Sequence, residues 1–219
     1  MTTSSQDALI INEIFFSIQG ESTRMGRPCV FIRLTACDLR CSWCDTAYAF
    51  EEGAELSINA VLQKVKEYGC NLVEITGGEP LLQENVHPLM RRLCDEEFEV
   101  MIETGGHHDI SRIDPRVKRI MDIKCPGSKM QKRNRWENIE MLTAHDEVKF
   151  VIADHTDYKW AKHVLLQYQL DKRCPILMSP VFGRLENRTL AEWILHDRLR
   201  VQFQMQIHKY IWDPTARGV

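Results

Sequence analysis

Hydrophobic and polar positions along the chain follow two alternating periods. Short apolar, β-branched runs occur at CVFIRL (29–34), LVEIT (72–76), FEVMIE (98–103), RIMDIK (119–124), VKFVI (148–152), PILMS (175–179) and VQFQMQI (201–207), and each predicts a strand. Stretches with helical spacing lie between several of them. In SINAVLQKVKEYG, Ser57 can cap a helix whose apolar face is Ile58, Val61, Leu62 and Val65. HPLMRRLCDEE (87–97, with Pro88 near a first turn), WENIEMLTAH (136–145), YKWAKHVLLQYQ (158–169) and TLAEWILHDR (189–198) predict four more helices. Strands alternating with helices imply a parallel sheet with helical crossovers. Six or seven strands can close towards a barrel or form a doubly wound sheet. The polar loops favour the barrel. Cys37 follows the first strand, GGEP the second and ETGGHHD the third, while DIKCPGS, ADHTD, SPVFG and HKY follow later ones. Parallel α/β folds build their sites on that carboxyl-end face. The expected fold is therefore α/β, a partial, open TIM-like barrel of about six parallel strands.

Composition narrows the picture only a little. A chain of 219 residues can bury one core and is short for two, and no repeat or linker divides it. A formal charge of −3 gives no reason to expect nucleic acid as a partner. No apolar run reaches the length of a membrane span, and MTTSSQDALIINE lacks a basic region followed by an apolar stretch, so a cytoplasmic protein is expected. Eight cysteines change more. In a reducing compartment a tight cluster points to metal or chemistry, not disulfides. Cys29, Cys70, Cys94 and Cys174 are scattered singly and read as small buried hydrophobes, and Cys125 also reads as packing.

The cluster is Cys37-x3-Cys41-x2-Cys44. Zinc closes a tetrahedron with two ligand pairs, and a second pair at such spacing is missing. His107 and His108 are neighbours in a loop expected to be extended, where adjacent side chains point apart. Three thiolates suit an iron–sulfur cube instead, which leaves one iron open for a ligand. The glycines of TGGEP (76–80) let backbone approach such a ligand closely. ETGG (103–106) and DIKCPGS (122–128) hold the same position on the next strands, with Glu103, Lys124 and Ser128 as polar groups within reach. The basic KMQKRNR (129–135) reads as a solvated loop ahead of a docking site.

The three cysteines with GGEP resemble the radical S-adenosylmethionine (SAM) superfamily. IFFSIQGEST (14–23), CDT (44–46) and QIHKYIWDP (206–214) narrow the resemblance, which runs from about residue 10 to the end, to the 7-carboxy-7-deazaguanine synthase family. That resemblance implies one domain, with residues 1–28 a substrate-binding extension and 29–219 the partial barrel. It implies a [4Fe–4S] cluster on Cys37, Cys41 and Cys44, with SAM chelating the open iron. SAM contacts are then expected at Trp43, Cys44, Asp45, Gly78, Glu79, Asp122, Lys124, Ser128 and Ser179. A carboxylated pterin would meet Ile18, Gln19, Gly20, Glu21, Arg33, Thr76, Glu103 and His208, with the Arg33 fork on its carboxylate. Thr46 corresponds to a magnesium ligand, its alternative being a hydroxyl that caps the turn after Cys44.

The family reaction converts 6-carboxy-5,6,7,8-tetrahydropterin to 7-carboxy-7-deazaguanine with loss of ammonia. It starts with radical abstraction of hydrogen from C6, and SAM is regenerated. A flavodoxin or ferredoxin would supply the electron, and a homodimer is expected. Two features depart from the pattern. A longer insertion found in some members between the first two cysteines is absent, and TARGV continues past Pro214, where some members end. Two other classes stay open at this point: a glycyl-radical activating enzyme, and an iron–sulfur or zinc protein without catalysis.

Overall fold

The computed structural model describes residues 7–219. The first six residues of the expected extension (1–28) lie outside the described residues. Among the described residues nine strands form one sheet: β1 (Ala8–Ile18), β2 (Pro28–Leu34), β3 (Ala54–Ser57), β4 (Leu72–Gly77), β5 (Glu99–Thr104), β6 (Lys118–Asp122), β7 (Glu147–Ile152), β8 (Ile176–Pro180) and β9 (Gln202–Phe203). Their order is β3-β1-β2-β4-β5-β6-β7-β8-β9. From β2 to β9 every neighbouring pair is parallel, whereas β1 runs antiparallel to both β2 and β3. The outermost strands, β3 and β9, do not pair, so the sheet is open as expected. The helices are α1 (Ile58–Glu67), α2 (Val86–Asp95), α3 (His155–Gln167), α4 (Asn187–Asp197) and the single turn α5 (His208–Ile211). None of them is long and apolar enough to cross a membrane.

All seven expected strands form, but the last is reduced to two residues. VQFQMQI (201–207) leaves the sheet after Phe203, and Gln204 is fully buried, its amide donating to Glu21 at 3.0 Å. WENIEMLTAH is not an α-helix. A 3₁₀ stretch spans only Trp136–Met141, because buried Asn138 turns inward to donate to the carbonyls of Gly106 and His108. Downstream, Asp146 takes the Thr143 amide and hydroxyl and ends the turn. The other helices stand where the spacing puts them. Ser57 caps α1, accepting from the Ala60 amide at 3.2 Å, and Ile58, Val61, Leu62 and Val65 are its buried face. The antiparallel β1 and the short β3 were not anticipated.

Strand alternation explains how the sheet makes a site. On β2, Val30, Ile32 and Leu34 pack into the main core under the helices, with Val73 and Ile75 of β4, Val100 and Ile102 of β5, and Val148, Phe150 and Ile152 of β7. Each such side chain contributes about 1.5–3 kcal/mol by leaving water. The residues between them point to the opposite face. There Phe31, Arg33, Glu74, Thr76, Glu103, Lys149 and Val151 line one cavity. On β2, β4, β5 and β7 one face holds the fold and the other contributes to the cavity.

Candidate active site

The cavity measures about 660 Å³ and opens at the carboxyl ends of the parallel strands. Its rim is the loop after β2. Cys37, Cys41 and Cys44 all line it, and no other cysteine among the described residues does. This donor set fits an iron–sulfur cluster with one open iron: three soft sulfurs in one loop, with no fourth thiol beside them. The loop is built for close approach. The Gly78 amide donates to the Leu34 carbonyl, and the Glu79 amide to the Ala36 carbonyl. A Cβ on Gly78 would sit 2.0 Å from the Ala36 oxygen and 3.0 Å from the Cys37 Cβ. Glu79 itself is 1 % exposed and is consumed internally, accepting from the Leu81 amide, the Thr104 hydroxyl and the Gly105 amide.

Asp38 anchors the loop from outside. His107 and His108 do not point apart. Their rings lie 4.3 Å from one another, and both Nε2 atoms approach the same Asp38 oxygen, at 2.6 and 3.3 Å. Gly106 in a left-handed conformation turns the ETGG segment so that both rings face the cysteine loop. Arg133, from the basic stretch, holds the other Asp38 oxygen at 2.7 Å. Burial opposes the charge of Asp38, but the two histidines outweigh it and bring its pKa down to about 2. The basic loop is thus packed against the cysteine loop, not merely solvated. The Arg40 amide also meets the Met130 sulfur at 3.4 Å, and Ser42 bonds the Gly127 and Ser128 carbonyls.

Trp43, Asp45, Asp122 and Lys124 line the same rim. Trp43 packs against Gly127, where a Cβ would come within 3.0 Å of its ring. Lys124 Nζ donates to Asp122 Oδ2 at 2.8 Å, and the other carboxylate oxygen is buried without a partner among the described residues. Such an orphaned acceptor fits a donor ligand at this spot. Burial opposes the Lys124 charge, yet Asp122 and Cys41 hold its pKa above the ordinary lysine value. Burial likewise opposes Asp45, which Lys209 at 2.6 Å holds below the usual range. Ser128 and Ser179 do not reach the cavity. The Ser128 hydroxyl is committed to the Cys125 carbonyl at 2.6 Å, and Ser179, 2 % exposed and in register with Val151 on the next strand, is not among the lining residues. Thr46 opens the single turn Ala47–Phe50 but makes no side-chain capping bond; its Oγ1 lies 3.8 Å from the Cys44 sulfur.

The floor is a buried charge network. Ile18, Gln19, Gly20 and Glu21, at the end of β1, all line it. The Gln19 amide donates to Glu74, and Lys149 donates to Glu21 at 2.8 Å and to Glu103. Gln204 and Gln206 also donate to Glu21, at 3.0 and 2.9 Å. Burial works against Glu21 and Lys149 alike, but the Lys149 ammonium holds Glu21 below its usual pKa, and Glu103 with Glu21 holds Lys149 well above its own. Burial raises the pKa of Glu103, and raises that of Glu74 well above normal, with the charges of Glu103 and Glu21 adding to the latter. His208 is pressed against Gly20, where a Cβ would sit 2.0 Å from its Nδ1, and burial lowers its pKa. On the opposite wall, Arg33 Nε donates to Glu13 at 2.7 Å. Its two terminal nitrogens have no partner among the described residues.

A soft three-thiol loop, an arginine fork and a charged floor thus meet in one cavity. A model of the radical SAM superfamily matches residues 31–159, more than half the chain. The 7-carboxy-7-deazaguanine synthase of Chlorobaculum tepidum is 46 % identical over 219 residues, covering 99 % of this chain and all of that one. This chain belongs to the 7-carboxy-7-deazaguanine synthase family. The Koribacter versatilis synthase is 42 % identical, over 95 % of this chain and 99 % of its own. The QueE structure from Escherichia coli superposes with a TM-score of 0.74 over 92 % of this chain and 99 % of its own; at 24 % identity it speaks for the fold.

Within the synthase frame, several cavity residues were not anticipated. Glu74 and Lys149 carry the floor, and their signal was present: each is a charged residue flanked by buried apolar neighbours on a strand. Glu13 and Tyr48 hold Arg33, and Lys209 holds Asp45. Those pairings join distant segments and leave no local trace.

Proposed function

We propose that this chain converts 6-carboxy-5,6,7,8-tetrahydropterin into 7-carboxy-7-deazaguanine with release of ammonia. The observation that carries the reading is the meeting of three cavity-facing thiols with the unpartnered end of the Arg33 fork. Cys37, Cys41 and Cys44 would hold the cluster, which with SAM supplies radical initiation. Trp43, Asp45, Gly78, Asp122 and Lys124 would cradle SAM at the rim. Glu79 supports that cradle from behind, bound as it is to the ETGG backbone. Arg33 would take the substrate carboxylate through its two terminal nitrogens, in the bidentate geometry that guanidinium favours.

Gln19, Glu21, Glu103 and Thr76 would contact the pterin ring, with Gly20 and His208 closing beside it. Lys149 keeps Glu21 ionised as an acceptor, while Glu103 and Glu74, raised by burial, hold a proton to higher pH than surface carboxylates do. Thr46, with a hydroxyl unused by the turn, would offer magnesium one hard oxygen, the substrate and water completing its shell. Residues up to 28 would act as a substrate-binding extension of a single domain in the cytoplasm. A flavodoxin- or ferredoxin-type donor would supply the electron, and two copies would form a homodimer.

The test is an anaerobic incubation with SAM, dithionite and carboxytetrahydropterin after reconstitution with iron and sulfide. Formation of the deazaguanine acid, and its loss together with SAM cleavage when any of the three cysteines becomes alanine, is the expected result. A cysteine variant with full iron content and turnover would remove the basis of the reading.

A further inference from the structure

The tail that continues past Pro214 is part of the cavity. Asp213 to Val219 line its wall, and the Gly218 backbone lies against Glu13 and Phe15 of β1. Arg217 makes the defined contact. Its Cζ sits 3.8 Å from the centroid of the Tyr48 ring, and its Nη1 meets Glu52 at 2.7 Å. The Tyr48 hydroxyl donates to Glu13 Oε1 at 3.0 Å, the same oxygen that accepts from Arg33 Nε. Arg33 in turn lies 5.9 Å from the Tyr48 centroid and 5.6 Å from that of Phe15. A continuous chain of contacts thus runs from the tail to the guanidinium fork: Arg217, Tyr48, Glu13, Arg33.

We propose that Arg217 is a positioning residue: it fixes Tyr48, and through Tyr48 and Glu13 it sets the Arg33 fork that selects carboxylated pterins. The inference rests on the reading of Arg33 as the partner of the substrate carboxylate. Three features support it. The Glu52 pair is half exposed on both sides, and such pairs contribute little by themselves, so the ring contact is the better reason for Arg217 to stay where it is. Among the described residues Arg33 is hydrogen-bonded only through Nε, so the direction of its fork depends on where Glu13 stands, and Glu13 is shared with Tyr48. Bidentate recognition of a carboxylate is sensitive to such aim, because both parallel bonds must form at once.

The test uses the reconstituted enzyme with SAM under anaerobic conditions. Binding of carboxytetrahydropterin, and of tetrahydropterin lacking the carboxylate, is measured by calorimetry beside KM and kcat. Taking a partly exposed cation–π contact plus some loss of aim, Arg217→Ala should weaken the carboxylated ligand about three- to tenfold. The ligand without a carboxylate should bind as before, kcat should hold within about twofold, and Arg217→Lys should recover much of the loss because a cation over the ring is kept. Glu52→Gln should resemble the parent.

In an Arg33→Lys background, Arg217→Ala should add little, since residues acting through one another are not additive. Equal weakening of both ligands, full additivity with Arg33→Lys, or an unchanged affinity in Arg217→Ala would overturn the proposal. If Arg33→Lys itself leaves the preference for the carboxylated ligand intact, the Arg33 reading falls and the proposal with it. If Arg33→Lys abolishes that preference and Arg217→Ala does not touch it, only the role of the tail is lost.

Discussion

Replacing Lys149 by methionine tests the charge network at the cavity floor. The side chain is 5 % exposed and bridges Glu21 and Glu103, with Glu74 close behind. Methionine fits the volume but removes the cation. Breaking a buried pair by deleting one partner costs about 3–5 kcal/mol, because the remaining charge is left uncompensated. For a chain of this size roughly 2–4 °C accompany each kcal/mol, so the melting temperature should fall by about 6–20 °C. The pH dependence has a definite sign. In the parent, Glu21 is held below its usual pKa, so its contribution is present above that value and lost as pH falls through the depressed one. Without Lys149, Glu21 joins Glu103 and Glu74 as carboxyls raised by burial, which fold best when protonated.

The deficit should therefore be small near pH 5 and widen as pH rises, by about 1.4 kcal/mol per pH unit for each extra proton the folded state holds. Urea unfolding of both proteins, stripped of iron so that cluster loss does not set the transition, measures the difference at pH 5.5, 6.5 and 7.5. Lys149→Met combined with Glu103→Gln should regain part of the loss, one orphaned charge having been removed. A deficit below about 1 kcal/mol, or one that does not change with pH, would refute the account of the floor as a network dependent on one buried cation.

Three further outcomes follow from particular contacts. Arg33→Lys keeps the charge but not the fork, so productive turnover should fall well before uncoupled SAM cleavage does; unchanged kinetics with the pterin would reject the carboxylate role. Thr46→Ala should spare the cluster and weaken the response to magnesium in a titration, whereas an unaltered response would make Thr46 a turn residue. Gly78→Ala puts a Cβ 2.0 Å from a backbone oxygen that flexible side chains cannot move, so the cysteine loop must shift; iron content and SAM binding should both drop, and a fully loaded variant would contradict the packing described.

The sequence alone determined the parts that depend on neighbours along the chain. Strand and helix periods placed seven parallel strands and four of five helices, because burial of alternate or every third and fourth side chain is a local property. Cys37, Cys41, Cys44 and the TGGEP glycines were legible for the same reason: spacing within a loop limits what its side chains can jointly hold. WENIEMLTAH shows the limit of that logic. Its helical spacing was overruled by Asn138, whose amide satisfies carbonyls some 30 residues upstream.

The tertiary structure decided what meets what. Glu21 and Lys149 are 128 residues apart, and only the register of β7 beside β6 and the turn after β1 bring them together. His107 and His108 converge on Asp38 because a left-handed glycine turns their loop, a choice invisible in the order of residues. The tail reaches Tyr48 for a similar reason: nothing in TARGV names its partner, and the wall left open beside Glu13 does. Long-range pairing is set by the packing of the whole sheet, and the chemistry of this cavity is made almost entirely of such pairs.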